Sequence, residues 1–241
     1  MQDITLVSVN WNNKVVMELM LKSFVKHHYK GEPLKLLLVD NGSNDGSREW
    51  LTWGSDFVFI DFKDNHGHEQ ALNLIYDLIN TKYALICDTD VEFLENVYDK
   101  YLPFLNDTCK VAGELITGDQ LNAPVKPRIG AWFFMFDIEA MKEKGVHTFR
   151  DTTDWSYDVG SWMTEKIFEH GFTHHQIDRK KGNIDKDVLG MDYGSHIHFG
   201  KLSWNVANHM DREWEINMRM DYIRERLKDY DDIDLKGKFI V

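Results

Sequence analysis

Asp88-Thr89-Asp90 directly follows the apolar run Tyr83 to Cys87. Two carboxylates spaced i, i+2 at a strand end can both reach one divalent cation if the chain turns there, and Mg2+ and Mn2+ prefer oxygen ligands in octahedral geometry. The same pattern also suits a solvent loop or a cap for a helix near Glu95. Downstream, His196 and His198 share a strand parity and would point to one face. Asp158 precedes a helical pattern that runs to Glu169. A helix N-terminus stabilises the ionised carboxylate; that serves a general base and equally an N-cap. Asp154 is the second candidate base. Asp40 ends a buried run and leads into Asn41-Gly42-Ser43, a turn in which Gly42 can supply positive φ.

The elements that must carry these residues are legible as alternating periods. Ile4 to Val9, Leu34 to Val39, Val58 to Phe62 and Tyr83 to Cys87 read as strands. Between them, Val15 to His28, Ser47 to Thr52 (with Ser47 as cap) and Glu69 to Asn80 have helical spacing. Continuous apolar strands separated by helices indicate a mostly parallel, Rossmann-like α/β sheet covered on both faces. Ligands of such sheets bind beyond the carboxyl ends of the strands, which puts Asn10, Asp40 and Asp88 in one place. The second half is less regular. Ala131 to Phe136 reads as a strand, Val159 to Glu169 as a helix, Ser195 to Phe199 as a short strand or extended loop, and Glu213 to Lys228 as a polar helix. Asp229 to Val241 reads as an acidic tail whose apolar tip, Phe239-Ile240-Val241, docks back. No linker separates the halves, so one domain over 1–241 is expected. It divides into a regular first part at 1–92, a less regular part at 93–203, and a C-terminal helix and tail at 204–241.

Composition narrows the partners. Of 241 residues, 43% are hydrophobic, enough for a sizeable core. The net charge is 28 − 40 = −12, which on average repels nucleic acid and anionic lipid. Two basic stretches, Arg179-Lys180-Lys181 and the cations between Arg212 and Lys228, read as solvated faces of a loop and a helix. Two cysteines, Cys87 and Cys109, form neither a disulfide framework nor a zinc spacing, and Cys87 reads as a buried thiol. Met1-Gln2-Asp3 passes straight into a strand, without a signal-peptide pattern, and no run approaches a membrane span. A cytoplasmic protein is the expectation, with peripheral membrane association left open.

Taken in order, four segments resemble the inverting family 2 glycosyltransferases of the GT-A fold. They are Val9-Asn10-Trp11-Asn12-Asn13, Leu38 to Ser47 around Asp40-Asn41-Gly42, Asn65-His66-Gly67 with Ala71 and Asn73, and Ile86-Cys87-Asp88-Thr89-Asp90. The resemblance covers Ile4 to Val91 well and Ala131 to Ser203 loosely. It implies a nucleotide-sugar donor held with Mn2+ or Mg2+ on Asp88 and Asp90, with Thr89 between them. Asp40 would accept a hydrogen bond from a pyrimidine ring N–H, which favours UDP, with dTDP as runner-up. Val9, Asn10, Asn12 and Asn41 would lie near the base and ribose, and Asn65, His66 and Gly67 would line the same cleft; His66 and His68 stand where the family commonly has apolar residues. His198, with its spacing to Gly200 and Ser203, would complete the metal shell, with His196 as the alternative. Asp158 falls on the second position of the family's Glu-Asp pair, and Tyr157 replaces the Glu. Arg128 would bind diphosphate or acceptor, and Trp132 and Trp155 could stack on sugar faces.

The implied reaction is metal-dependent inverting transfer to an acceptor hydroxyl. The acceptor is read as a saccharide or glycoconjugate, with a modified nucleic-acid base still open. Rival readings are a sugar nucleotidyltransferase, a non-catalytic nucleotide-sugar-binding module and a metal-dependent phosphohydrolase. The first normally carries a Gly-rich basic loop after its first strand, where this chain has Asn10-Trp11-Asn12-Asn13.

Overall fold

The computed structural model describes residues 3–54, 59–117, 126–146, 149, 154, 156–180, 189–200, 202 and 213–241. Trp155, Lys181 and Ser203 lie outside them. The chain begins β1 (Ile4–Asn10), α1 (Lys14–His28), β2 (Leu34–Asn41), α2 (Ser47–Gly54), β3 (Phe59–Phe62), α3 (His68–Tyr76) and β4 (Tyr83–Cys87). It continues with β5 (Val91–Phe93), α4 (Val97–Tyr101), β6 (Cys109–Ile116), β7 (Arg128–Asp137), α5 (Ile138–Glu143), α6 (Ser161–Glu169) and β8 (Thr173–Gln176). The last elements are β9 (Met191–Asp192), β10 (His196–His198), α7 (Glu213–Leu227) and β11 (Phe239–Ile240).

The main sheet runs β11-β2-β1-β4-β7-β6-β8, with β3 also paired to β2. β1, β2, β3, β4 and β11 are parallel, and β7 enters antiparallel between β4 and β6. Alternation along the strands splits the core in two. Leu6, Leu36, Leu38 and Leu85 face Met17, Met20 and Phe24 of α1. Val7, Leu37, Val39 and Ile86 face Leu72, Ile75 and Tyr76 of α3, with Met163 and Ile167 of α6. This two-sided burial is why the strands read as unbroken apolar runs. The chain moves from β1 outward to β2 and β3, then returns to the other side of β1 as β4. That reversal opens the crevice between β1 and β4 that ligands of open α/β sheets use.

Several element bounds differ from the sequence expectation for local reasons. Ser47 is the first residue of α2 rather than the residue before it, and its N–H and hydroxyl donate to Asp45 Oδ1 at 3.0 and 2.5 Å. α3 stops at Tyr76, where the amides of Leu78 and Ile79 turn to i−3 carbonyls and tighten the chain. α6 starts at Ser161, two residues later than expected, because Gly160 takes φ +87° and breaks the helix before it. The apolar tip does dock back: Phe239 and Ile240 pair with Leu34 and Lys35 of β2. Among the described residues, no helix is long and apolar enough to cross a membrane.

Gly42 shows how tightly the loops over the crevice are packed. Its φ is +78°, and a Cβ there would lie 2.6 Å from the carbonyl carbon of Asp64. Gly42→Ala therefore meets both strain and a backbone clash. At least about 2 kcal/mol of stability should be lost, lowering the melting temperature by about 4–8 °C. Scanning calorimetry reads this directly, and an unchanged melting temperature would show that the loop relaxes at no cost.

Candidate active site

The ends of β1 and β2 make one wall of the crevice. Asn10 and Asp40 are in register across the two strands and both are buried. Asn10 Nδ2 donates to Asp40 Oδ1 at 2.9 Å and to the Ser43 hydroxyl at 3.1 Å, and the Ser43 amide donates to Asp40 Oδ2 at 3.0 Å. This orientation leaves Asn10 Oδ1 buried without a partner. Val9, one residue earlier, packs against the core that faces α3. Asn12 takes φ +54° and accepts from the Asn44 amide at 2.8 Å, while its own amide donates to Ser43 Oγ at 2.9 Å. Ser43 thus ties three of the expected residues together, and a serine in a turn carries no sequence signal of such a role.

The next layer joins β2 to the loop before α3. Asn41 Nδ2 donates to Asn65 Oδ1 at 3.0 Å, and Asn41 Oδ1 accepts from the His66 amide at 3.0 Å. The Gly67 amide donates back to Asn65 Oδ1 at 2.7 Å. Gly67, at φ +82°, precedes the first turn of α3. His68 in that turn stands with Nε2 3.5 Å from Asp88 Oδ1.

β4 ends at Cys87, a buried thiol, and the amide of Asp88 donates to the Trp132 carbonyl on β7 at 2.8 Å. Thr89 and Asp90 then turn the chain out of the main sheet into β5. β5 pairs antiparallel with β10, placing Val91 opposite His198, and the Phe199 amide donates to the Asp90 carbonyl at 2.8 Å. The turn expected from the Asp-x-Asp spacing is therefore present, and β10 delivers the third side chain. One ligand atom each from Asp88, Asp90 and His198 lies within 4.8 Å of the others, in the one such group among the described residues. His198 Nε2 is 3.2 Å from Asp90 Oδ1 and 3.9 Å from Asp88 Oδ2.

His196 has the same parity but a different fate. Its ring is stacked between Phe133 at 3.7 Å and Tyr193 at 4.6 Å, and Nδ1 lies 3.0 Å from the Ser195 hydroxyl. The Asp-Asp-His group does not include it. Burial drives its pKa well below the ordinary imidazole value.

Electrostatics separates the three clustered groups. Burial raises the Asp88 carboxyl, with Asp90 adding in the same direction and His68 opposing. Burial acts the same way on Asp90, but His198 and the Leu202 amide outweigh it and hold Asp90 low. For His198 burial disfavours the cation, and the two carboxylates outweigh it, so its pKa is raised. Asp90 Oδ1 and His198 Nε2 are buried 3.2 Å apart without a well-directed hydrogen bond between them, and His198 Nδ1 is buried with no hydrogen-bond partner. Buried polar atoms normally find one. A divalent cation would satisfy the carboxylate oxygen and one imidazole nitrogen, and two carboxylates with one imidazole suit Mn2+ better than Mg2+, which prefers oxygen throughout.

On the other side of the crevice, Arg128 at the start of β7 forms a close ion pair with Asp158 Oδ2. Asp158 Oδ1 accepts from the Val159 amide at 2.7 Å. Asp158 does not cap α6, since the N-cap is Gly160. Asp154 is exposed, and its Oδ1 accepts from the Ser156 amide at 2.9 Å, closing a local turn. Trp132, half-buried, stacks on His198 with ring centroids 5.5 Å apart, so at least one of its faces is taken by a protein partner. Arg179 is exposed, as expected of a solvated loop, and pairs with Glu114 at 2.7 Å.

The model of glycosyl transferase family 2 matches residues 5–162, well over half of the chain. The chain belongs to this family. Among curated proteins it is similar to the teichoic acid poly(glycerol phosphate) polymerase of Staphylococcus epidermidis, 25% identical over 113 residues. That match takes in 45% of this chain and spans only 15% of the relative's length. Among solved structures it is similar to mannosyltransferase PcManGT from Pyrobaculum calidifontis in complex with GDP-Man and Mn2+, with 14% identity and a TM-score of 0.55. The likeness covers 94% of this chain and 74% of that one. It is also similar to S. aureus TarS in complex with UDP-GlcNAc, with 10% identity and a TM-score of 0.53 over 96% of this chain and 68% of that one. At these identities the likeness is one of fold: a GT-A sheet with flanking helices.

Proposed function

We propose that this chain is a metal-dependent inverting glycosyltransferase that uses a UDP-sugar and delivers the sugar to a hydroxyl of a saccharide or glycoconjugate. The convergence of Asp88, Asp90 and His198, with buried atoms left unpartnered at the mouth of the β1/β4 crevice, is the observation that carries the reading. Asp88, Asp90 and His198 would hold a divalent cation, which would supply positive charge to the departing diphosphate. Asp88 and Asp90 supply the negative charge that holds the cation, and His198 supplies the nitrogen ligand.

Asp158 is the residue proposed to take the acceptor proton. Both of its oxygens are oriented, one by a main-chain N–H and the other by Arg128. Each oxygen keeps a second lone pair for the incoming hydroxyl. Attack by that hydroxyl from the side opposite the departing diphosphate gives inversion. Asp154 remains the second candidate.

For the base, the two neighbours differ: one was solved with GDP-Man and the other with UDP-GlcNAc. The choice rests on Asp40 and Asn10. Asp40 and the unpartnered Asn10 Oδ1 present acceptors only. They suit the ring N3–H of uracil, or of thymine in dTDP, whereas cytosine offers a lone pair there. Calorimetry with UDP, dTDP, GDP and CDP in the presence of Mn2+ should rank UDP first and dTDP second. Tightest binding of GDP or CDP would overturn the assignment of Asp40.

A further inference from the structure

Two side chains of α7 reach the strands that carry the Asp-Asp-His group. Arg226 grips Glu92 of β5, which is completely buried: Nε lies 3.1 Å from both carboxylate oxygens and Nη2 2.5 Å from Oε1. The Tyr230 hydroxyl donates to the same Oε1 at 2.7 Å. Glu92 is two residues beyond Asp90 and lies opposite Ile197 of β10. Arg219, two turns earlier on α7, donates through Nη1 to the carbonyls of Phe199 at 2.8 Å and Gly200 at 2.7 Å, directly after His198. Between these contacts Ile223 packs in one cluster with Ile197, Phe199 and Leu202, the residue whose amide bonds the Asp90 carboxylate.

We infer that Arg219 and Arg226, with Glu92, are positioning residues that set the distance between His198 and the two aspartates, so that α7 determines the affinity of the metal site. This rests on the reading of that site given above. The physical ground is that β10, although paired with β5 and β9, is three residues long and belongs to a small sheet separate from the main one. Its carbonyl end and its partner strand are instead held from outside by guanidinium forks, which bind in a defined plane and are always charged. A buried carboxylate held by three donor atoms is also a costly feature to keep for stability alone, since an apolar replacement of the whole pair often does as well.

The test is Mn2+ affinity without donor or acceptor, read from the free-ion electron spin resonance signal. Wild type, Arg219→Met and the double variant Arg226→Met with Glu92→Gln are compared. The double change removes both charges, so no buried carboxylate is stranded. Each variant should bind Mn2+ about 10–100-fold more weakly, the range seen when groups supporting metal ligands are lost. The apparent KM for Mn2+ should rise with it, while kcat at saturating Mn2+ stays within about threefold and Arg219→Lys recovers part of the loss. Wild-type Mn2+ affinity in folded Arg219→Met overturns the inference, whatever the double variant does. Failure of wild type itself to bind Mn2+ would overturn the metal reading, and this inference with it.

Discussion

Asp90→Asn is expected to abolish Mn2+ binding and sugar transfer together while leaving the fold intact. The amide keeps an oxygen that can accept from the Leu202 N–H, so the link between the turn and Leu202 survives. It removes one of the two negative charges in the group and leaves His198 facing only Asp88, 3.9 Å away. The several kcal/mol that a bound cation contributes at a developing diphosphate charge correspond to about 10³-fold or more in rate. Transfer assayed by nucleoside diphosphate release should fall by that factor, and EDTA should do the same to wild type. Full turnover in EDTA would remove the metal from the mechanism.

Asp158→Asn should be nearly as severe for a different reason. The amide oxygen still accepts from the Val159 N–H, and Gly160 rather than Asp158 caps α6, so the helix start is unchanged. Loss of a general base costs ~10²–10⁴-fold in rate. The Asp158 side chain is about half exposed (47%), which screens the pair, but Arg128 is only 15% exposed, so the loss of its partner should cost some stability while the fold survives. UDP and Mn2+ affinity should therefore hold while turnover collapses. An active Asp158→Asn together with a dead Asp154→Asn would move the base to Asp154.

The first half of the fold was legible because each strand is buried on both faces and each helix has one apolar stripe. Asn10, Asp40 and Asp88 could be placed at strand ends from that pattern alone. The Asp-Asp-His group was half legible. Asp88 and Asp90 announce themselves by spacing, but His196 and His198 have equal parity, and only the aromatic pair Phe133 and Tyr193 closing on His196 separates them. β5 escaped notice because three residues with a central Glu92 carry no readable period. The arginines of α7 read as a solvated face, since nothing local shows that Glu92, 134 residues away from Arg226, is buried and waiting for one of them. Asp158 was read as a base or a cap, and the left-handed Gly160 removes the second role.

The outer side of β2 has a consequence for how the protein behaves in a crowded solution. β11 covers β2 at Leu34 and Lys35, and β3 covers it from Leu38 to Asn41. A long, apolar strand edge left open is a template for pairing with a second chain. Here two short strands from remote parts of the sequence share the work of closing it, and β3 itself ends the sheet in four residues, with Asp61 held by Arg48. Losing the two residues of β11 would bare the Leu34 end of that edge while leaving the crevice walls untouched, and the damage would show first as self-association rather than as lost chemistry.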